Sequence, residues 1–221
     1  MGFSRYALSF NGINNNVNCG INFPIGASPR TLSLWFYPTS FNNESVIGYG
    51  DFSGVGTCLY VRIQVATGFM FIIGNAADYL TSLIPNLNQW NYIAVSYDGT
   101  TYTICLNGVF ETSVPIALNT PAGTNLYVGA GAQSVQLFNG IIDEVYFYNR
   151  ALLVEEMLRN MMEYHNLSRN GLVLWLRMEE GSGLIAYDSG GLGNNGSLMP
   201  ALTPPTWTRI KKWELRAEAG L

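Results

Sequence analysis

Short runs in which apolar and polar residues alternate occupy most of this 221-residue chain, and turn-forming Gly, Asn, Pro and Asp residues separate them. In residues 58–65, for example, Leu59, Val61, Ile63 and Val65 fall on one face of an extended segment. A period of two is typical of a strand that buries one face, because successive side chains point to opposite sides. The pattern therefore predicts an all-β chain of many short strands.

Two dipeptides mark tight turns between such runs. An Asp-Gly pair follows residues 90–97, and an Asn-Gly pair follows residues 102–106. Both pairs favour β-hairpins because their residues tolerate positive φ. The repeated strand–turn–strand spacing predicts a two-sheet antiparallel sandwich. The predicted strands cover residues 7–10, 31–37, 45–49, 58–65, 68–73, 90–97, 102–106, 126–128, 140–148, 171–178 and 206–210.

Residues 150–164 have a different period. Leu153, Met157, Leu158 and Met161 can share one face of a helix, with charged residues mostly elsewhere. The segment predicts one short helix near residues 150–164. We interpret its Met-containing stripe as core packing; the alternative is an adaptable binding groove.

Composition narrows the classes of partner. Apolar residues make up 48% of the chain, enough to fill a large core, and charged residues make up only 12%. The net charge of −4 offers nothing to attract a phosphate backbone, so no nucleic-acid partner is expected. No apolar run approaches the ~18 residues of a membrane-spanning helix, so no membrane span is expected.

Three cysteines, Cys19, Cys58 and Cys105, lie in strand-like runs. An odd number cannot all pair within one chain, and no Cys-x-x-Cys spacing suggests zinc. We favour three small buried thiols; a bridge between Cys58 and Cys105 is the alternative.

Several segments resemble the laminin-G-like, or concanavalin A-like, family of jelly-roll domains. The resemblance rests on ALSFNGINNNV (7–17), LSLWFYP (32–38), NQWNYIAVSYDG (88–99), YTICLNGV (102–109) and, most specifically, FNGIIDEVYFYNRAL (138–152). It implies an antiparallel jelly-roll sandwich, a fold that serves as a binding module in many family members.

The C-terminal segments LVLWLRMEEGSG (172–183) and AYDSGGLGNNGSL (186–198) resemble the opening of the same family, yet here they come last. The resemblance implies a circularly permuted domain over residues 1–208, in which residues 171–208 supply the strands usually found at the N-terminus. Residues 209–221 would form a C-terminal tail. Alternatively, the C-terminal strands complete a neighbouring copy, because open sheet edges attract partners.

The carboxylates do not indicate catalysis. The family's glycoside hydrolases carry a Glu-x-Asp-x-Glu strand, and none of the 15 carboxylates here has that spacing. Asp143 and Glu144 are adjacent, which predicts opposite faces of a strand. The single histidine, His165, has no obvious Ser or Cys partner nearby in sequence, and a solvated or capping role is expected for it. We therefore predict that the chain is not an enzyme.

The family resemblance implies one structural calcium ion. Its ligands would be Asn11, Gly12, Asp143, Asp188 and Asn194. Asn11 stands where the family usually has Asp, which lowers the ligand charge and hence the expected affinity. The alternative is that Asp188 and Asn194 satisfy turn geometry through side-chain hydrogen bonds.

Exposed aromatic residues and glycosylation sequons give the remaining site candidates. Tyr49, Tyr60, Tyr79 and Tyr146 are candidate sugar platforms only because they are aromatic. Sequons occur at Asn43, Asn166 and Asn195.

Two functions follow from the sequence. The first is a non-catalytic module that binds glycans, or a host or cell surface, outside a cell or on a virion. The second is a structural subunit of a virion, filament or extracellular layer that assembles with copies of itself through strand or sheet-edge contacts. No signal peptide is visible in the chain, so its location rests on these functions.

Overall fold

The structure is a computed structural model that describes residues 5–65, 67–163 and 167–211. Its described residues form a sandwich of two antiparallel sheets with one α-helix and one short 3-10 turn, which confirms the predicted fold class. The strands and helix are, in chain order, β1 (Arg5–Asn11), β2 (Asn16–Asn18), β3 (Arg30–Pro38), β4 (Glu44–Gly50), β5 (Cys58–Ile63), β6 (Met70–Ile73), β7 (Tyr79–Leu80), β8 (Asn91–Tyr97), β9 (Tyr102–Leu106), β10 (Val109–Thr112), β11 (Leu126–Val128), β12 (Asn139–Tyr148), α1 (Val154–Met162), β13 (Leu172–Leu176), β14 (Ile185–Ala186), β15 (Gly196–Met199) and β16 (Thr206–Ile210).

The first sheet has the order β10-β9-β8-β3-β12-β1-β16, and β13 also pairs with β12. The second sheet has the order β14-β15-β2-β11-β4-β5-β6-β7. The apolar face of each sheet, including Leu34 and Phe36 of β3 and Leu59 and Val61 of β5, packs into one central core. The inward-facing apolar residues of the alternating runs thus fill the space between the two sheets.

The ten-residue strand β12 holds two partners on the same side. β1 pairs with its first half, with Leu8 opposite Ile142, and β13 pairs with its second half, with Leu176 opposite Val145. Between the two partners, the register of β12 against β3 shifts at a β-bulge, where Glu144 has a φ of 48°. The C-terminal strand β13 therefore continues the sheet beyond the first residues of β1.

The other C-terminal strands pair with strands of the same chain. β15 pairs with β2, β14 pairs with β15, and β16 pairs with β1. β16 continues to Ile210, which lies opposite Arg5, so Arg209 and Ile210 belong to the sheet and not to a tail that begins at residue 209.

Helix α1 packs on the outer face of the first sheet. Met157 and Met161 are buried there in a cluster with Trp35, Tyr148 and other aromatic residues, as the core interpretation of the stripe predicts. The helix is shorter than residues 150–164, because residue 153 is extended; residue 164 lies outside the described ranges. Among the described residues, no helix is both long and apolar enough to cross a membrane.

The three cysteines lie in different layers. Cys19 packs in the central core, Cys58 lies on the outer face of the second sheet and Cys105 lies on the outer face of the first. Cys58 and Cys105 are therefore separated by the whole sandwich and do not form the alternative bridge; all three are free and buried. Burial raises the pKa of Cys58 to about 12 and that of Cys105 to about 11, so both remain protonated at neutral pH.

Candidate functional site

A polar cleft of about 480 Å³ lies on the second sheet, where β2, β11 and β15 meet. We call it the amide cleft, because five of its ten residues are asparagines. It is lined by Asn18, Cys19, Gly20, Asn22, Asn125, Gly193, Asn194, Asn195, Ser197 and Met199.

Strand alternation turns the polar side chains of this region outward. Val17 of β2, Leu126 of β11 and Leu198 of β15 are buried in the core. Their neighbours therefore face away from the core, since successive side chains on a strand point to opposite faces. On this outer face Asn18 lies directly opposite Tyr127 on one side and Ser197 on the other.

Gly20 provides the floor of the cleft. Two residues further along the same register, it lies between Asn125 of one neighbouring segment and Asn195 of the other. Its φ is +79°, a conformation that glycine adopts without strain. A Cβ atom built at this position would meet nothing within 4 Å, so the space above Gly20 is open.

Short hydrogen bonds orient the amides of the cleft. Asn18 Oδ1 accepts from the Gly20 backbone N–H at 2.9 Å, and Asn125 Nδ2 donates to the Tyr127 hydroxyl at 3.2 Å. Asn195 Oδ1 accepts from the Asp188 backbone N–H at 2.8 Å. Within the described ranges, the other polar atom of each of these three amides has no hydrogen-bond partner, and the intermediate or exposed positions of Asn18, Asn125 and Asn195 leave it accessible.

Asp188 builds the wall behind Asn194 and Asn195. Its Oδ1 accepts from the backbone N–H groups of Trp175 (3.0 Å) and Gly190 (2.7 Å), and its Oδ2 accepts from those of Leu192 and Asn194 (both 3.2 Å). Four backbone donors on one carboxylate are an arrangement that orders a loop. These contacts agree with the alternative to calcium binding given in the sequence analysis, in which Asp188 satisfies turn geometry through side-chain hydrogen bonds.

The chemistry available in the cleft is hydrogen bonding without charge. Its lining contains amides, one hydroxyl and glycine backbone, but no carboxylate, ammonium, guanidinium or imidazole group. Burial, and then the negative charge of Asp188, raise the pKa of the Cys19 thiol beside the floor, so this thiol stays neutral. The cleft can therefore orient a polar ligand and lacks groups for proton transfer.

The five residues proposed to bind calcium lie in three places. Asn11 and Gly12 end β1 beside Asn139, whereas Asp143 lies four residues further along β12, about 13 Å away at ~3.3 Å per residue. Asp188 bridges to Leu176, opposite Val145, which is further still from Asn11. Asn194 lies in the amide cleft, where its Nδ2 donates to the Val173 carbonyl.

These residues do not fit one calcium coordination sphere. Calcium needs six to eight converging oxygen atoms, and the Asp188 carboxylate already accepts four backbone N–H groups. Among the described residues there is also no group of three or more His, Cys, Asp and Glu side chains that could hold a metal. Calcium binding by this chain stays a prediction.

A second polar pocket of about 360 Å³ contains Asn11, Gly12 and Asn43. Its carboxylate, Glu44, is buried, which raises its pKa. Asn43 Oδ1 accepts from the Val65 backbone N–H at 3.0 Å.

The sequons occupy different environments. Ser45 of the first sequon is fully buried, whereas Asn195 is exposed in the amide cleft. Asn166 lies outside the described residues, as does His165. Glycosylation stays a prediction at all three asparagines.

Asp143 and Glu144 do not point to opposite faces, which corrects the expectation from strand alternation. Asp143 lies opposite Trp35, whose side chain belongs to the outer cluster of the first sheet. Glu144 Oε2 accepts from Tyr146 OH at 2.9 Å and from Trp175 Nε1 at 2.8 Å, both in that same cluster. The bulge at Glu144 breaks the period of two, and both carboxylates are buried away from the amide cleft.

The aromatic residues of the cleft are not the predicted ones. Tyr49, Tyr60 and Tyr146 are buried, and Tyr79 donates its hydroxyl to Glu111 at 2.7 Å. Two other tyrosines lie beside the lining residues: Tyr127 is opposite Asn18 in the sheet, and the exposed Tyr187 precedes Asp188, whose backbone N–H donates to Asn195. The sequence does contain a signal for Tyr127, because Leu126 and Val128 on either side are apolar.

The two antiparallel sheets packed face to face define the class of this protein as a jelly-roll β-sandwich domain. The family model described as the concanavalin A-like lectin/glucanases superfamily matches residues 11–157, and the chain belongs to this family. The predicted family resemblance is thereby confirmed. The search of curated protein sequences found no match.

Several solved structures share the fold at low sequence identity. A protein of Bacteroides ovatus ATCC 8483, provisionally assigned as carbohydrate-binding, is 20% identical with a TM-score of 0.69; the match covers 94% of this chain and 60% of that one. The chain thus spans less than two thirds of that protein.

Two further structures are parts of enzymes. Domain 4 of AbnA, a GH43 extracellular arabinanase from Geobacillus stearothermophilus solved with arabinotriose, is 18% identical (TM-score 0.53; 71% of this chain, 80% of that one). The CBM40 domain of the Ruminococcus gnavus IT-sialidase, bound to α2,3 sialyllactose, is 15% identical (TM-score 0.53; 72% and 97%). At these identities the matches establish the fold alone.

Proposed function

We propose that the protein is a non-catalytic module that binds glycans through the amide cleft. The observation that carries this proposal is the row of outward-facing amides over an open glycine floor. A carboxamide offers both a donor and an acceptor, which suits the adjacent hydroxyl groups of a sugar. Tyr127 and Tyr187 add aromatic faces on which the apolar side of a sugar ring can pack.

The lining of the cleft supports binding without turnover. Hydrolysis of a glycoside canonically uses two carboxyl groups that flank the scissile bond. The cleft has no carboxylate in its lining, and backbone donors hold both oxygens of the Asp188 carboxylate behind its wall. A bound glycan would therefore leave the cleft unchanged.

Glycan binding can be tested with the full chain on a glycan array, followed by calorimetry on the hits. We expect Asn18→Ala and Asn125→Ala each to weaken binding about three- to tenfold, since one neutral hydrogen bond contributes about 1 kcal/mol. Gly20→Asn should weaken it further by filling the floor, because Asn tolerates the positive φ of this position.

Asn42→Ala is the matched control, because Asn42 lines the second polar pocket instead. Its binding should equal that of the wild type. Loss of binding in Asn42→Ala with full binding in Asn125→Ala would move the site to the second pocket. An array without any hit would overturn the proposal.

We further propose that this module acts outside a cell or on a virion surface, where glycans are accessible. The low share of charged residues, 12%, supports such a location. The alternative of a structural subunit has less support in its strand-exchanged form, because the described C-terminal strands already pair with their own chain.

A further inference from the structure

We infer that the ligand of the amide cleft is an uncharged, linear oligosaccharide that crosses the strands from Tyr187 to Tyr127. This inference rests on the proposed function and adds the length, direction and charge class of the glycan. It follows from the arrangement of the second sheet around the cleft.

The first step is the length of the polar surface. One continuous row on the outer face runs from Ile185 of β14 through Ser197 and Asn18 to Tyr127 of β11. Three interstrand steps span about 14 Å at ~4.8 Å per step. A sugar ring is about as wide as one such step, so the row accommodates about three rings in line.

The second step concerns the ends of the path that the glycan follows. Tyr187 is 56% exposed and lies just past β14, the edge strand of the sheet. Extended by one residue, the register of β14 with β15 places Tyr187 opposite Asn195, in the neighbouring row that also holds Gly20 and Asn125, so the path from Tyr187 to Tyr127 crosses the two rows diagonally. Tyr127 stands at the opposite end, and its hydroxyl is held by Asn125. An aromatic ring at each end with amides between them suits a chain that makes contact along its length.

The third step is the boundary beyond Tyr127. Gly48 of β4 follows it in the same row. A Cβ atom on Gly48 would lie 3.0 Å from backbone atoms of Gly131 and Ala132, so that backbone covers the row here. Ser134 belongs to the same loop as Gly131 and Ala132, and its Oγ accepts a hydrogen bond from Asn16 Nδ2 of β2 at 2.9 Å, which holds the loop against the sheet. The row is therefore limited to about three rings on this side.

The fourth step is charge. None of the lining residues is ionisable except the buried Cys19 thiol. The carboxylates next to the wall are negative: Asp188 accepts from the Asn194 backbone N–H, and Glu180 accepts from the Tyr187 backbone N–H. The cation of the same loop region, Arg169, donates to the Ser189 carbonyl and stacks on Trp175 in the outer cluster of the first sheet. Arg62, on the outer face of the same sheet, stands on the far side of the covered Gly48 row, where it stacks on Phe71 at 4.9 Å. A carboxylated or sulfated sugar in the cleft would lose water without gaining a cationic partner.

The experiment uses the full chain and xylo-, arabino- and cello-oligosaccharides, from monosaccharide to pentasaccharide, with uronic-acid and sialylated oligosaccharides as charged counterparts. Binding is measured by calorimetry or NMR titration. We expect affinity to rise about tenfold or more from the monosaccharide to the trisaccharide of the neutral series that binds, and then to level off. The charged oligosaccharides should bind more weakly.

Tyr187→Ala tests the direction in which the oligosaccharide crosses the strands. It should weaken trisaccharide binding about tenfold and leave monosaccharide binding unchanged, because the ring lies at the end of the diagonal path that is remote from Tyr127. Phe52→Ala is the matched control: Phe52 is a 40% exposed aromatic residue that contacts Tyr60, beyond the covered row. It should leave every affinity unchanged.

The outcomes separate this inference from the proposed function. No binding of any glycan would overturn both. Binding that Gly20→Asn abolishes, but that is independent of chain length or strongest for charged glycans, would overturn the inference and leave glycan binding in place. Binding that is insensitive to Gly20→Asn would place the site elsewhere and overturn the inference.

Discussion

Single residues with buried charge connect distant parts of this sandwich. The Arg30 guanidinium is fully buried, and its donors reach the carbonyls of Ser28 (2.7 Å) and Gly26 (2.7 Å) and the hydroxyl of Thr120 (2.7 Å). Glu144 does the same in the first sheet, where it joins Tyr146 of β12 to Trp175 of β13. Such groups are stable inside a protein only because their hydrogen bonds are satisfied.

Replacement of Glu144 measures how much its two buried hydrogen bonds contribute to the stability of the fold. Glu144→Ala removes the acceptor of two buried donors, the Tyr146 hydroxyl and the Trp175 indole N–H. Burial, and then the Glu144 charge, raise the pKa of Tyr146, so its hydroxyl stays a donor at neutral pH. We expect the free energy of unfolding to fall by about 2–4 kcal/mol, measured by urea denaturation.

Glu155→Ala is the control, since Glu155 is an exposed residue of α1. It should change the stability by less than ~1 kcal/mol. Equal stabilities of the two variants would contradict the role assigned to Glu144.

Among the elements, α1 shows how local contacts set a helix boundary. Arg150 forms two hydrogen bonds with Glu156, at 2.8 and 2.6 Å, and the Leu153 backbone N–H donates to the same carboxylate at 3.0 Å. These contacts hold residues 150–153 outside the helix and satisfy one free N–H at its start. The helix therefore begins at Val154, four residues later than its apolar period alone indicates.

The same carboxylate makes the stability pH-dependent. Hydrogen bonds from Arg150 lower the pKa of Glu156 below its usual value of 4.5. A lowered pKa in the folded state gives stability that is present above the usual pKa and lost as the pH falls through the lowered one. At pH 7 we expect Glu156→Gln to be less stable than the wild type by about 1 kcal/mol, because the pair is partly exposed.

Urea denaturation of both proteins at pH 7 and at about pH 3 checks this sign. The difference should shrink towards the acid end, where the wild-type carboxylate gains a proton. A difference that is constant with pH would show that the charge of Glu156 does not contribute.

For the whole molecule, the two ends of the described sandwich are adjacent. Arg5 at the start of β1 lies opposite Ile210 at the end of β16. Neighbouring ends make circular permutation inexpensive, because a short connection can join them without crossing the fold. The C-terminal strands also supply core residues, including Leu174, Leu176 and Leu198.

A permuted chain tests this arrangement. Residue 221 would be joined directly to residue 1, and the chain would be opened in the connection between α1 and β13. We expect it to fold with a stability within about 2 kcal/mol of the wild type, since all strand pairs are kept. Circular dichroism and urea denaturation provide the measurement.

Truncation after Asn170 is the contrasting variant, because it deletes the strands that the permuted chain only moves. It should lose cooperative unfolding, because the stabilisation lost with the buried residues of these strands exceeds the usual free energy of unfolding of about 5–15 kcal/mol. A truncated chain that unfolds cooperatively would show that residues 171–210 are not needed for the sandwich.

The sequence by itself determined the sandwich and much of its interior. The period of two in residues 58–65 correctly identified Leu59, Val61 and Ile63 as inward-facing, whereas Val65 lies past the end of β5 and is 44% exposed. The period near 3.6 identified Met157 and Met161 as a buried stripe. Both follow from local geometry, because side-chain direction repeats with the backbone conformation of each element.

Only the tertiary structure decided the site. Asn18, Gly20, Asn125 and Asn195 meet because β2 pairs with β11 on one side and β15 on the other. A change of one residue in either register would turn these amides towards the core, and no local pattern specifies pairing between such distant segments. The bulge at Glu144 is a similar case, since it turns Glu144 to the same face as Asp143, whereas alternation predicts opposite faces. Local periodicity thus sets which residues are buried, and long-range strand register sets which exposed residues form the amide cleft.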